Sequence, residues 1–163
     1  MADAAACAGR VARLRELMAD RGYDAVILRN NPDLRWLTGA ERTFDDEVAH
    51  TAFITSEGQW LHTDSRYFNT FRERLGADTP WQIDEDMTTP AAWAAARAAQ
   101  TTSRVVAVED TCDLAFFDAF LHECNAASVA CLTPRLHGDI CDLRMIKDAE
   151  EVGLMRHAQT ITD

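Results

Sequence analysis

The side chains best suited to holding a metal ion gather in the second half of the chain: Cys131, His137 and Cys141, with His122 and Cys124 upstream. Zinc frames repeat their donors at short fixed intervals, and none of these spacings matches one. Their apolar neighbours make the cysteines core residues instead. Asp45-Asp46-Glu47 and Asp84-Glu85-Asp86 offer the oxygen donors a hard cation prefers, yet adjacent carboxylates on loops are ordinarily a solvated face. The run Thr63-Asp64-Ser65-Arg66-Tyr67 ends an extended segment and opens a helix. Asp64 or Ser65 can cap that helix and Arg66 can pair with a carboxylate, so Asp64, Arg66 and Tyr67 read as a structural corner. Arg144 and Lys147 stand ahead of Asp148, Glu150 and Glu151, a charge-paired helix start. No G-x-G-x-x-G, G-x-x-x-x-G-K-[ST], G-x-S-x-G or H-E-x-x-H occurs, so dinucleotide, nucleotide-triphosphate, serine-hydrolase and zincin chemistry have no anchor. No set of nucleophile, base and oxyanion donor assembles from these residues.

The chain that must position these groups has 163 residues, the size of one ordinary domain. Its 47% apolar and 26% charged residues describe a folded core. Sixteen Lys and Arg against 27 Asp and Glu give a net charge of −11, which opposes nucleic acid as a partner. No segment is apolar for the roughly 18 residues a bilayer requires, and Arg97 interrupts the Ala-rich stretch at 91–99. The N-terminus has no cationic region before a long apolar run, so no secretory signal is expected and the cytoplasm is the default compartment. Five cysteines at irregular spacing read as reduced thiols.

Periodicity places Val11, Leu14, Leu17 and Met18 on one helical face, with Gly22 as its stop. Residues 24–28 form a buried strand that enters a turn at Asn30-Asn31-Pro32-Asp33. Extended runs at 50–55 and 59–63, joined by Ser56-Glu57-Gly58, predict a β-hairpin in which Gly58 supplies a positive φ. A helix from Ser65 to Gly76, a strand at 81–84, an Ala-rich helix over about 89–100 and a strand at 105–108 follow. Leu114, Phe117, Leu121 and Cys124 then mark another amphipathic helix. The rhythm is that of an α/β fold: one three-layer domain, a mixed β-sheet flanked by helices, with its strand order open. Leu17, Val26, Ile27, Phe53, Phe71, Val106, Phe117 and Leu121 are the expected core. A last helix starts at Asp148 with a capping-box signature to Glu151, and no stop signal appears before Asp163. That pattern reads as truncation or a linker helix.

Three segments together resemble one family: Asn31-Pro32-Asp33-Leu34-Arg35-Trp36-Leu37-Thr38-Gly39, Thr63-Asp64-Ser65-Arg66-Tyr67, and Leu143 to Glu151 leading into Leu154-Met155-Arg156. They are similar to the N-terminal domain of the creatinase, prolidase and aminopeptidase P group, with Trp36 where that group commonly has Tyr. The resemblance implies that residues 1–145 are the creatinase-type N-terminal α/β domain. Residues 146–163 would then begin a linker helix toward an absent pita-bread catalytic domain. That domain would hold two divalent metal ions, Mn or Co, and this chain would hold no cofactor, no metal and no catalytic residue. It also implies a homodimer in which the loop from Thr38 to Val48 reaches the partner's active site, making Arg42, Phe44 and Asp45 candidates for a substrate entrance. The parent is then a Xaa-Pro peptidase of aminopeptidase P or prolidase type. Two alternatives stay open: a stand-alone interaction module whose acidity suits a basic protein partner, and the N-terminal domain of a creatinase-like amidinohydrolase.

Overall fold

The computed structural model describes residues 4–40, 43–44 and 47–162. The first helix, α1 (Ala4–Arg21), buries Cys7, Val11, Leu14 and Met18 in one stripe, and Gly22 closes it at φ 71°. The next run is β1 (Ala25–Leu28), buried at all four positions as a strand covered on both faces must be. The hairpin forms from β2 (Thr51–Thr55) and β3 (Gln59–His62). A single 3-10 turn at Ser65–Tyr67 leads into α3 (Phe68–Leu75) and then β4 (Gln82–Asp84). Thr89 caps α4 (Pro90–Gln100), whose proline sits in the first turn where its missing N–H costs nothing. After β5 (Val106–Val108), Asp113 caps α5 (Leu114–Ala126) by accepting the amide of Phe116.

The five strands lie in the order β4-β3-β2-β1-β5. β1 runs antiparallel to β2 and parallel to β5, while β3 is antiparallel to β2 and parallel to β4, so the sheet is mixed as expected. Alternation along the strands divides the core in two. Val26, Leu28, Ala52, Ile54, Leu61 and Ala107 face α1 and α3, with Leu14 and Phe71 at the centre. Ala25, Ile27, Phe53, Val106 and Val108 face α4 and α5. The result is the expected three-layer α/β domain.

Five local readings need correction. Asn31–Thr38 is a helix, α2, rather than a turn: Asn30 stands at its N-cap, Pro32 and Asp33 fill its first turn, and Gly39 ends it at φ 68°. Asn, Pro and Asp favour a helix start as strongly as a turn, and the buried Leu34 and Leu37 decide for the helix. A further helix, α6 (Asp139–Met145), follows the left-handed Gly138, and Ile140 anchors it in the core. The face of α5 is displaced from the one read: Phe116, Phe120 and Cys124 are buried, Phe117 and Leu121 are half-buried, and Leu114 is 72% exposed. Phe117 instead lies under the Arg135 guanidinium, 3.9 Å from the ring centre, at the rim of the layer. Leu17 is likewise half-buried beside the first cluster. Finally, Gly58 is outside the positive-φ region; a Cβ there would collide with the Trp60 ring, so close approach selects the glycine.

Candidate functional site

The last helix, α7 (Ala149–Thr162), leaves the body of the domain under the control of one buried arginine. Arg10 projects from α1 with only 5% of its side chain exposed. Its Nε donates to Asp148 Oδ2 at 2.8 Å, Nη2 to Glu150 Oε2 at 3.0 Å, and Nη1 to the Trp36 carbonyl at 3.0 Å. One guanidinium therefore ties α1, α2 and the start of α7 together through charge-assisted bonds. The same bond from Arg10 holds the Asp148 carboxyl below its ordinary range, against the opposing effect of burial. Arg13, one turn on, donates to the Ile146 carbonyl at 3.2 Å and lies over the Trp36 ring. Asp148 and Glu151 form the anticipated capping box, each accepting the other's backbone N–H at 2.9–3.0 Å. Arg144 and Lys147 play other parts than pairing with these acids. Arg144 donates to Asp33 at 2.6 Å, and Lys147 to the carbonyls of Arg144 and Met145. Arg10 shares the buried face of α1 with Cys7 and Leu14, and it was hidden in the sequence because its carboxylate partners stand 138 and 140 positions away. Over residues 153–161 the helix is exposed, and Leu154, Met155 and Ile161 present 54, 59 and 74% of their surface.

The expected entrance loop is described only in part, since Arg42 and Asp45 lie outside the described residues. Phe44 is 3% exposed and packs against His50 and Phe71 with ring centres 5.1 Å apart in each case. Its ring is therefore part of the core. Arg35 donates to the Phe44 carbonyl at 2.8 Å, a second tether. The corner after β3 is held by its own side chains. Asp64 accepts the backbone N–H of Arg66 at 2.9 Å, and the Arg66 guanidinium reaches Asp64 and Glu47 at 3.0 Å each. Those bonds hold the Asp64 carboxyl below its usual range. Tyr67 stands edge-on to His50 at 4.8 Å.

A crevice of about 340 Å³ opens at the carboxyl ends of β1 and β5, lined by Arg29, Asn30, Val48, Glu109 and Asp113 among others. Such a position is where open α/β sheets place ligands. Glu109 is 4% exposed and accepts the Asn30 amide at 2.9 Å. Burial, which its hydrogen bonds do not offset, pushes its carboxyl up to about 7. Arg29 is committed to Asp113 at 2.7 Å and lies 4.2 Å from the Phe116 ring centre. Glu109 follows the strand at 105–108 directly, and a carboxylate at the end of a parallel strand is the signal that points to it.

The metal-like residues do not converge. His137 and Gly138 donate their backbone amides to Asp110, Cys141 is exposed on α6, and Cys131 lies against Cys124. Asp84 accepts from Trp93 Nε1 at 2.7 Å and pairs with Arg97, and Arg72 pairs with Glu85, so the acidic run at 84–86 is engaged in holding α3 and α4 to the sheet edge. Among the described residues, no group of three or more His, Cys, Asp or Glu side chains is placed to hold a metal ion. Nor is any described helix long and apolar enough to cross a membrane.

Residues 10–146 match the family profile described as the creatinase/prolidase N-terminal domain. No curated protein is similar enough in sequence to match. Among solved structures, a Xaa-Pro dipeptidase from Bacillus anthracis superposes with a TM-score of 0.75 at 18% identity, over 90% of this chain and 38% of the dipeptidase. Aminopeptidase P from Streptococcus thermophilus gives 0.69 at 19% identity, over 85% of this chain and 98% of that one. The N-terminal domain of the cytoplasmic peptidase PepQ from Mycobacterium tuberculosis H37Rv gives 0.65 at 17%, over 83% and 98%. At these identities the likeness is one of fold, and the chain spans well under half the length of the Bacillus enzyme.

Proposed function

Because this chain belongs to the creatinase/prolidase N-terminal domain family, we propose that it serves as the non-catalytic N-terminal domain of a Xaa-Pro peptidase of aminopeptidase P or prolidase type. The observation that carries the reading is α7. A helix whose base is locked by Arg10 and whose outer turns expose Leu154, Met155 and Ile161 is suited to carry and seat a following domain. Hydrolysis then belongs to that following domain, whose own ligands hold two divalent metals, manganese or cobalt. In this reading the protein works as a cytoplasmic homodimer. The loop around Arg42 and Asp45, anchored through Phe44, borders the substrate entrance of the neighbouring subunit.

Two measurements test the proposal. The purified chain, assayed with Xaa-Pro peptides in the presence of Mn²⁺ or Co²⁺, is expected to be inert; metal-dependent turnover by this chain would overturn the non-catalytic role. In the full-length protein, Arg42→Ala is expected to lower kcat/KM at unchanged melting temperature, and an unchanged kcat/KM would leave the loop a plain connection.

A further inference from the structure

Seven residues apart in sequence, Cys124 and Cys131 meet at the end of α5 with their Sγ atoms 3.8 Å apart. Cys124 is 3% exposed and belongs to the layer beneath α4 and α5. The chain reverses directly after it: Val129 donates its amide to the Cys124 carbonyl at 2.8 Å, and Ser128 takes φ 56°. That reversal brings Cys131 back onto Cys124 yet leaves it half-buried, one residue before Leu132 bridges Val105. The remaining cysteines have other surroundings. Cys7 is buried in α1, Cys112 accepts from Arg135 at 3.1 Å, and Cys141 is exposed on α6.

We infer that Cys124 and Cys131 are a paired oxidation site that closes to a disulfide by exchange with a small-molecule disulfide such as oxidised glutathione. Cys131 is the more accessible sulfur and reacts first. Its thiolate attacks one sulfur of glutathione disulfide, that S–S bond breaks, and one glutathione leaves as thiolate. Cys124 then gives its proton to solvent and attacks the Cys131 sulfur, breaking the mixed disulfide and releasing the second glutathione. Two protein thiols are oxidised to one disulfide, and one glutathione disulfide is reduced to two thiols. The order agrees with the environment of Cys124. Burial, reinforced by the neighbouring Cys131, pushes its thiol up to about 12, which makes it a poor first nucleophile. The product would staple the end of α5 to the segment that lines the outer edge of β5. Val106 and Val108 already donate to the carbonyls of Leu132 and Pro134 there, at 2.9 Å each.

The test incubates the native chain with oxidised glutathione, quenches with acid, alkylates under denaturing conditions and maps the peptides without reduction. The expected result is a protein lighter by two hydrogens, with Cys124 and Cys131 linked and both freed by dithiothreitol. Cys124→Ser should stop at one glutathione on Cys131, and Cys131→Ser should leave Cys124 unmodified. Cys141 is the control for oxidant access. If Cys141 takes up glutathione while Cys124 and Cys131 both alkylate as free thiols, the inference fails; it also fails if Cys131 links to a different cysteine.

Discussion

Replacing Glu109 with Gln should remove a pH dependence of stability that the wild-type chain carries. The folded carboxyl titrates at about 7 against an ordinary 4.5, because burial at the end of β5 outweighs the amides of Arg29 and Asn30, and the nearby Asp33 adds to the rise. Between those two values the folded chain holds a proton that the unfolded chain has released. Stability therefore falls as pH rises from 4.5 to 7 and stays low above it. A difference of 7 minus 4.5, at ~1.4 kcal/mol per pH unit, amounts to about 3–4 kcal/mol. Glutamine is neutral throughout, and its carbonyl can still accept the Asn30 amide. Urea unfolding of both proteins, followed by tryptophan fluorescence at intervals from pH 4.5 to 8.5, isolates the effect, because titrating groups that do not interact with Glu109 cancel in the difference. The Gln variant should gain on wild type steadily through the window. A stability difference that stays constant with pH would refute the argument that Glu109 is buried without adequate compensation.

The phase of α5 is tested by a pair: Phe120→Ala should cost about 3–5 kcal/mol in urea unfolding, while Leu114→Ala should stay within ~0.5 kcal/mol, and equal losses would return the helix to the other face. Arg10→Met should cost about 1–3 kcal/mol and speed hydrogen exchange of the first amides of α7, whereas unchanged protection would show that Arg10 does not hold that helix. Since Arg10 holds Asp148 below its ordinary value, the contribution of this pair is present above the usual carboxylate range and lost as pH falls through the folded value; the wild-type protection factors of the first α7 amides should fall in acid, and the Arg10 variant should show little of that change. Gly58→Ala should displace the Trp60 ring from Gln82, at a cost of about 1–3 kcal/mol and with a shifted tryptophan emission.

Most elements were legible because their patterns are local. The apolar stripe of α1, the continuous run of β1 and the hairpin each announce themselves within a dozen residues. Strand order was not legible, since pairing β1 with β5 depends on partners some eighty residues apart that no periodicity encodes. The displaced face of α5 has a different origin. Phe116, Phe117, Phe120 and Leu121 offer two competing apolar stripes, and only the packing of α4 chooses between them. At the candidate site, Asp148 and Glu151 were visible as a capping box because both members lie in one turn. Arg10 was not, because its partners stand 138 and 140 positions away. The resemblance of three motifs to one family supplied what spacing could not, and the profile over residues 10–146 agrees with it.

The grip of Arg10 on α7 can also be considered as leverage. A helix of 14 residues is about 21 Å long at 1.5 Å per residue. Rotation by ~5° at its first turn moves its far end by about 2 Å, more than the misplacement at which catalytic geometry begins to fail. The aim of anything seated on the outer turns is thus set by the angle at which one guanidinium meets two carboxylates at the base. If α7 carries the catalytic domain proposed above, substitutions around Arg10, Trp36 and Asp148 would register as losses of activity far away, with no change in the groups that carry out the chemistry.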